Sequence, residues 1–242
     1  MRRFFAPKEK ISSKEIILSP EETHHLFCVD RFKEGDTVLV FDGDETEYEA
    51  VITGERNKSA VLEIKNKVKK IGSPYNLRMA VCLPKKAKFE NIIEKCTELN
   101  VSEIIPLMSK RTVVKIDKAK AGIKRTRWQK KALESAKQAG RVKFPEIKEA
   151  RDFKDFIKTL NKESFILIPT LYSSKSFKEA LKNIKDFKNI VILIGPEGGF
   201  ELDEVKSAEE AGAVAVSLGN TVLRVETAVI FVAAVINYET QS

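Results

Sequence analysis

Apolar residues follow two different patterns along the chain, and the change comes near Pro74. Before it, short segments alternate apolar and polar residues and are separated by turns rich in Gly, Asp and Asn. After it, almost wholly apolar runs alternate with segments in which apolar residues recur every three or four positions. Alternation and apolar runs are typical of strands, and a recurrence near 3.6 residues is typical of helices. The pattern therefore predicts an all-β unit followed by an α/β unit.

The all-β unit is predicted to be a small barrel with one helix. That helix covers residues 20–29, because Ser19 can cap it and Pro20 suits its first position. The charged stretch 65–70, followed by Gly72 and Pro74, is interpreted as the domain boundary, which gives domains at 1–72 and 73–242. Four strands are predicted, at residues 15–18, 37–41, 47–53 and 59–64.

The second unit is predicted to hold a mostly parallel sheet covered on both faces, since its strands are nearly all apolar and alternate with helices. Asn100 and Gly212 are expected to end two of the helices. Strands are predicted at 77–83, 103–107, 165–168, 190–194 and 213–216, and helices at 89–99, 128–139, 153–160, 177–184, 202–211 and 228–236.

The positive charge is concentrated in one part of the chain. The net charge is +8, but residues 85–148 hold 18 Lys and Arg against 7 Asp and Glu, a local excess of 11. A folded basic face of this kind suits nucleic acid. The alternative is an ordinary lysine-rich solvated surface, because Lys is abundant throughout.

Several classes of protein lack support in the sequence. Cys28, Cys82 and Cys96 form no CxxC pair and have no His at metal-binding spacing, so we expect reduced packing residues and no metal. The longest apolar run, 228–236, is much shorter than the roughly 20 residues of a membrane span. We expect a soluble, cytoplasmic protein.

Two glycine-containing loops follow predicted strands. The segment 194–200 reads Ile-Gly-Pro-Glu-Gly-Gly-Phe, and the segment 217–224 reads Ser-Leu-Gly-Asn-Thr-Val-Leu-Arg. Neither matches a phosphate-binding motif, and Glu197 would repel a phosphate. Loops that leave neighbouring parallel strands can form one crevice, where bare backbone lets a ligand approach. The alternative is that these are ordinary turn glycines.

Taken together, these two loops, a following Glu204 and the continuation to Ala228 closely resemble the C-terminal motifs of the RsmE-type methyltransferases of the SPOUT superfamily. That family transfers a methyl group from S-adenosyl-L-methionine to N3 of a uridine near the 3′ end of 16S ribosomal RNA. The resemblance extends over the whole chain, from Arg2-Arg3 and His24-His25 through Lys95–Val101 to Trp128. It implies a C-terminal trefoil-knot domain, an N-terminal PUA-like barrel and a homodimer.

The resemblance also implies the site residues. S-adenosylmethionine would lie among the loops after three strands, with apolar side chains against the adenine. The implied cofactor-binding residues are Ile168, Pro169, Thr170, Ile194, Gly195, Pro196, Glu197, Gly198, Gly199, Leu218, Gly219, Asn220, Val222, Leu223, Thr227 and Ala228.

Uridine N3 must lose its proton, which requires a base or stabilisation of the resulting anion. Arg224 is the candidate cation beside the uracil, Glu197 and Glu226 are candidates for orientation, and the base stays unidentified. Glu226 could instead serve only the helix macrodipole, and Arg224 could simply pair with Glu226.

The expected partner is 16S ribosomal RNA in the 30S subunit. His24 and His25 lack a third metal ligand and are assigned to packing or RNA contact. Asp30, where the family usually has an aliphatic residue, makes Arg31 a weaker candidate. The alternatives are a ribose 2′-O methyltransferase of the same superfamily and a non-catalytic RNA-binding assembly factor. The RNA-binding candidates are Arg2, Arg3, His25, Arg31, Lys85, Lys86, Arg111, Arg127 and Arg141.

Overall fold

The chain divides into two compact units. A computed structural model describes residues 2–70, 72–85, 88–161 and 163–240. The first unit comprises Met1–Gly72 and Leu133–Phe144, and the second comprises Ser73–Ala132 and Pro145–Ser242. The sequence-based division at residue 72 placed the segment Leu133–Phe144 in the second unit.

The first unit is built on a five-stranded sheet. Its order is β1-β3-β4-β5-β2, with β1 and β3 parallel and the other pairs antiparallel. Alternate strand positions, among them Ile16, Val38, Val40 and Leu62, are fully buried and form its core. The strands are β1 (Arg3–Phe5), β2 (Glu15–Ile17), β3 (Thr37–Phe41), β4 (Thr46–Arg56) and β5 (Ser59–Lys69).

The charged stretch interpreted as the domain boundary is partly regular structure, because residues 65–69 continue β5. They pair with the beginning of β4, where Tyr48 lies opposite Lys67 and Thr46 opposite Lys69. The Lys67 ammonium lies 5.7 Å from the centre of the Tyr48 ring, and Lys69 forms an ion pair with Glu45. Cross-strand contacts of this kind stabilise a polar strand that has no apolar face.

The helix predicted at 20–29 is present, but its geometry changes in the middle. Helix α1 covers Pro20–His24, and a π-helical segment covers His25–Val29. The Ser19 hydroxyl accepts a hydrogen bond from the Glu22 amide at 3.2 Å, which is the predicted N-cap. A short 3-10 turn also covers Lys8–Lys10.

The second unit contains a seven-stranded sheet in which every described strand pair is parallel, as predicted. The order is β12-β10-β11-β6-β7-β8, and β9 also pairs with β7. Buried β-branched and leucine side chains from β6, β10 and β11 form the centre of its core. The strands are β6 (Asn76–Cys82), β7 (Glu103–Met108), β8 (Glu146–Ile147), β9 (Arg151–Asp152), β10 (Phe165–Pro169), β11 (Asn189–Ile194) and β12 (Val214–Val216).

The helices agree with the sequence wherever an apolar stripe marks them. Helix α3 (Lys118–Ala139) begins ten residues before its predicted start. Its first turns are rich in Lys and Arg and carry no apolar stripe, so the sequence pattern did not predict them as helix. Asn100 has a φ of 59° and Gly212 a φ of 99°, so both end a helix in the left-handed conformation. The helices are α2 (Lys88–Glu98), α3 (Lys118–Ala139), α4 (Phe153–Ile157), α5 (Phe177–Ala180) with a 3-10 continuation Leu181–Asp186, α6 (Leu202–Glu210) and α7 (Val225–Thr240).

Candidate functional site

A pocket lies in the second unit at the carboxyl ends of β10, β11 and β12. Parallel strands end at the same edge of a sheet, so the loops that follow these three strands meet there. The pocket is lined by residues 169–172, 194–200, 218–219, 221–223, 225 and 228.

Most of the residues expected to bind the cofactor lie on this pocket. Three do not: Ile168 is fully buried within β10, and Asn220 and Thr227 lie outside the lining. Sequence reasoning missed Leu171 and Tyr172. They directly follow β10, so the rule that ligands bind at the carboxyl ends of parallel strands could have identified them. It also missed Val225, whereas Phe200 and Thr221 belong to the two glycine loops that the sequence indicated. The residues that were both expected and found on the pocket are Pro169, Thr170, Ile194, Gly195, Pro196, Glu197, Gly198, Gly199, Leu218, Gly219, Val222, Leu223 and Ala228.

The loop after β11 is a tight turn that needs its glycines. The Gly199 amide donates to the Pro196 carbonyl at 2.8 Å, and Gly199 has a φ of 69°. A Cβ atom on Gly195 would lie 3.1 Å from Phe200 Cδ2 and 3.2 Å from the Phe200 nitrogen. Glycine at 195 therefore allows the two ends of the loop to approach each other.

Backbone groups of the lining are available to a ligand. The N–H groups of Glu197, Leu218 and Leu223 have no hydrogen-bond acceptor among the residues that the structure describes. The lining is otherwise largely apolar, and Leu171, Tyr172 and Val222 at the pocket are 58–72% exposed. An apolar pocket with a few backbone donors suits a flat heteroaromatic ligand.

Glu197, the acid of the glycine loop, is exposed and contacts the segment after β6. Its carboxylate accepts a hydrogen bond from the Lys85 backbone amide at 3.0 Å. The side chain therefore orients the polypeptide beside the pocket.

Arg224 and Glu226 lie at the beginning of α7, next to the pocket residues Leu223 and Val225. The alternative that these two side chains pair with each other is not realised. Glu226 instead accepts a hydrogen bond from Lys88 at 2.6 Å, and this bond holds the pKa of Glu226 below its usual value of 4.5. Arg224 is exposed, and its side chain has no hydrogen-bond or ion-pair partner among the described residues. It is therefore free to meet an anion.

Arg111 contacts the glycine loop itself. Its Nη1 donates to the Gly198 carbonyl at 2.7 Å, while Nε and Nη2 donate to the two carboxylate oxygens of Glu201 at 2.7 and 2.9 Å. Glu201 and then Tyr172 raise the pKa of Arg111 above its usual value. The predicted RNA-binding role for Arg111 was based on the resemblance, and the observed contacts are with the glycine loop and with Glu201.

The other basic candidates of the second unit lie on its surface. Lys85 is exposed next to Glu197, and Arg127 is 70% exposed while it pairs with Glu90. Lys86 lies outside the described residues.

In the first unit, Arg2 and His25 line one surface depression together with Asp30 and Lys137. Arg2 forms an ion pair with Asp30 at 3.1 Å and keeps 72% of its side chain exposed. Asp30 therefore pairs with Arg2. The neighbouring Arg31 is exposed and has a φ of 60°.

Arg3 borders the same depression but is much more buried than Arg2. Its side chain is only 8% exposed, and it donates to Glu47 and to the carbonyls of Ala136 and Arg141. It also lies 5.0 Å from the centre of the Phe41 ring. Arg3 holds the first unit together, and this environment does not support its predicted contact with RNA. Arg141 is half-buried beside it.

The two histidines show no metal-site geometry: their rings are 6.4 Å apart and lie edge to face. Among the described residues, no group of three His, Cys, Asp or Glu side chains could hold a metal ion. In the same part of the chain, no helix has the length and apolar character that crossing a membrane requires.

Comparison with protein families agrees with this geometry. Residues 72–237 match the family model of the RNA methyltransferase domain, and residues 18–65 match that of the RNA methyltransferase PUA domain.

Curated relatives share the full length of the chain. It is 31% identical to the ribosomal RNA small subunit methyltransferase E of Bacillus subtilis, over all of this chain and 98% of that protein. It is 32% identical to the methyltransferase of the same name from Synechocystis, over 97% of this chain and 77% of that protein.

Solved structures show the same fold. A methyltransferase of Legionella pneumophila in complex with the cofactor SAM matches with a TM-score of 0.87 at 30% identity, over 98% of this chain and 97% of that one. The small subunit methyltransferase E of Neisseria gonorrhoeae, bound to S-adenosyl methionine, matches with a TM-score of 0.88 at 26% identity and the same coverage. The predicted fold class, a SPOUT-type α/β domain with an N-terminal PUA-like β unit, is confirmed. The chain belongs to the RsmE-type family of RNA methyltransferases.

Proposed function

We propose that this protein transfers the methyl group of S-adenosylmethionine to N3 of a uridine in 16S ribosomal RNA of the small subunit. The observation that carries the proposal is the pocket formed by three loops at one sheet edge, next to an exposed and unpaired Arg224. Relatives named for methylation of small-subunit RNA and SAM-bound structures of the same fold support it.

The pocket residues fit this cofactor. Leu218 and Leu223 offer apolar faces for an adenine ring, and the free N–H groups of Leu218, Leu223 and Glu197 offer donors for its polar atoms. Glycines at 195 and 219 leave the backbone open to close approach. When bound, S-adenosylmethionine supplies a methyl carbon that its sulfonium already activates.

The protein must therefore align uridine N3 with that carbon and accommodate the loss of the N3 proton. Negative charge develops on the uracil oxygens as the proton leaves. A guanidinium with no other partner stabilises such charge at little cost in reorganisation, which assigns this role to Arg224.

Glu197 and Glu226 act on the backbone and on neighbouring elements. Glu226 ties the first turn of α7 to Lys88 at the first turn of α2, and so fixes the segment that carries Arg224. Glu197 holds the Lys85 amide beside the pocket. Both carboxylates are therefore assigned to orientation of the site.

RNA would contact exposed basic residues in each unit. Arg2, His25 and Arg31 offer such contacts in the first unit, and Lys85 and Arg127 offer them in the second. Phosphate contacts of this kind make affinity depend on salt concentration.

The deciding experiment is methyl transfer from labelled S-adenosylmethionine to 30S subunits that lack the modification, followed by nucleoside analysis. We expect 3-methyluridine from the wild type. For Arg224→Ala we expect kcat to fall by about 100-fold or more, as when a charge-stabilising donor is removed, with unchanged cofactor affinity. Arg56→Ala, which removes an exposed arginine at the end of β4, serves as the control.

Other outcomes would identify the alternatives. A methylated ribose would assign the protein to the 2′-O methyltransferases of the superfamily. Cofactor and RNA binding without any transfer would favour a non-catalytic assembly factor.

The same proposal includes a homodimer in the cytoplasm, where 30S subunits are. Phe231 and Tyr238 on α7 are 38% and 76% exposed and lie two helical turns apart, on one face. An exposed aromatic pair suits a subunit interface. Light scattering of the wild type and of Tyr238→Glu tests this, and a monomeric wild type would contradict it.

A further inference from the structure

Arg111 is attached to the glycine loop and to the helix that follows it. Its guanidinium donates once to the Gly198 carbonyl and twice to Glu201, the residue directly before α6. The planar guanidinium offers its donors in a fixed fork, so these three bonds set the distance between the Gly198 carbonyl and the beginning of the helix.

The peptide unit between Gly198 and Gly199 is fixed at both ends. Its carbonyl oxygen accepts from Arg111, and its N–H donates to the Pro196 carbonyl at 2.8 Å. A planar peptide held at both polar atoms cannot rotate without breaking one of these bonds. The two amides before it, those of Glu197 and Gly198, have no acceptor among the described residues and stay available.

The contacts of Arg111 with Gly198 and Glu201 form a clamp, and its Glu201 end is anchored in the core. Glu204, 3% exposed, accepts from the Glu201 amide and from the Lys110 amide, both at 2.9 Å. One buried carboxylate thus fixes the backbone next to Arg111 and the backbone of its partner Glu201. The clamp is therefore a rigid link.

The identity of residue 198 follows from the same contact. A Cβ atom on Gly198 would lie 3.3 Å from Arg111 Cδ, closer than most Cβ contacts. Glycine at this position leaves room for the arginine side chain.

We propose that Arg111 is a positioning residue for S-adenosylmethionine: through Gly198 and Glu201 it holds the loop of residues 195–200 in the conformation that binds the cofactor. This inference rests on the proposed function of the pocket. It replaces the role in RNA binding that the sequence resemblance gave to Arg111, since each nitrogen of its guanidinium already donates to Gly198 or Glu201.

The two roles predict opposite behaviour for Arg111→Lys. A lysine keeps the positive charge that a phosphate contact requires, but it cannot make the forked bonds to Glu201 and the bond to Gly198 together. Arg111→Ala removes both the charge and these hydrogen bonds. The experiment is calorimetric titration of Arg111→Lys, Arg111→Ala and the wild type with S-adenosylmethionine, with RNA affinity measured at two salt concentrations.

Two further variants complete the test. Glu201→Gln keeps an acceptor oxygen and removes the charge, so it should weaken cofactor binding less than Arg111→Ala. Asp203→Asn is the matched control, because it breaks the adjacent ion pair with Lys110, whose ammonium is bound to neither Gly198 nor Glu201.

We expect Arg111→Ala and Arg111→Lys each to weaken cofactor affinity by about tenfold or more, as for loss of a charge-assisted hydrogen bond, with RNA affinity and the melting temperature of the free protein unchanged. Equal cofactor affinity in the wild type and Arg111→Ala would overturn this inference and leave the proposed function standing. Loss of RNA affinity and of its salt dependence, with cofactor binding intact, would overturn it in favour of a phosphate contact. A wild type that binds no S-adenosylmethionine would instead overturn the proposed function.

Discussion

The Lys88 ammonium lies 2.6 Å from a carboxylate oxygen of Glu226, which joins the first turn of α2 to the first turn of α7. These residues are 138 positions apart in the chain. The bond holds the helix start that follows Arg224, and it occupies the Glu226 carboxylate, which forms no ion pair with Arg224 among the described residues. The arginine that the proposed reaction needs is therefore left unpaired.

This pair predicts a pH dependence of stability. Lys88 lowers the pKa of Glu226 below 4.5 in the folded protein. A lowered carboxylate pKa stabilises the fold above 4.5, and this contribution is lost as the pH falls through the folded value. Lys88→Met should reduce the free energy of unfolding slightly at neutral pH and leave it unchanged in strong acid, as measured by urea unfolding. An equal loss at both pH values would show that the lysine acts only by packing.

Gly195 and Gly122 form a matched pair of glycines. Gly195→Ala should weaken cofactor binding by about tenfold or more, because the new Cβ would press on Phe200 and its backbone. At Gly122, in α3, an added Cβ would meet no atom within 4 Å, so Gly122→Ala should raise stability by up to about 1 kcal/mol. Calorimetry and thermal unfolding measure the two effects. Normal cofactor affinity in Gly195→Ala would refute the close-approach argument.

Arg2 and Arg3 should behave differently although they are adjacent. Burial raises the pKa of Glu47, but hydrogen bonds from Arg3 and Lys70 outweigh it and leave that pKa below 4.5. Arg3→Met removes the main partner of a carboxylate that is 11% exposed and leaves Lys70 as its second partner, which should cost about 1.5–3 kcal/mol in urea unfolding.

Arg2→Ala is the control for this prediction, since its side chain is 72% exposed. It should leave stability unchanged and weaken RNA binding, with a smaller salt dependence. The prediction fails if Arg3→Met unfolds at the same urea concentration as Arg2→Ala.

The three cysteines should differ in reactivity towards a thiol reagent. Cys28 is exposed, and Cys82 and Cys96 are buried. Burial raises the pKa of Cys82 to about 11, so almost none of it is thiolate at mildly alkaline pH. We expect one fast-reacting thiol in the native protein, absent in Cys28→Ser, and three after denaturation. Fast labelling of Cys82 would contradict its position in the core.

Sequence patterns predicted most of the strands and helices, because the residues that make up each pattern are close together in the chain. The apolar run at 190–194 predicted β11, and the stripe from Phe89 to Leu99 predicted α2. Segments without such a signal were missed or misinterpreted. The first turns of α3 are rich in Lys and Arg, and residues 65–69 form a strand by pairing with β4.

Part of the candidate site could also be predicted from the sequence, and part could not. The glycine motifs at 194–200 and 217–224 predicted a crevice at the edge of a parallel sheet, and most of the expected residues line it. Their partners could not be predicted, because Lys88, Lys110 and Arg111 reach these segments from distant parts of the chain. The difference between Arg2, which stays exposed, and Arg3, which is bound to Glu47, likewise depends on tertiary contacts.

The sequence by itself determined the two kinds of unit, the parallel sheet and the loops that form the pocket, since periodicity and turn chemistry act over a few residues. Only the tertiary structure decided which charged groups are free and which are committed. The Arg224 side chain has no hydrogen-bond or ion-pair partner among the described residues, whereas those of Arg3, Arg111 and Glu226 are bound within the protein. Charge is a property of each residue, but its availability depends on the partners that folding brings within hydrogen-bond distance.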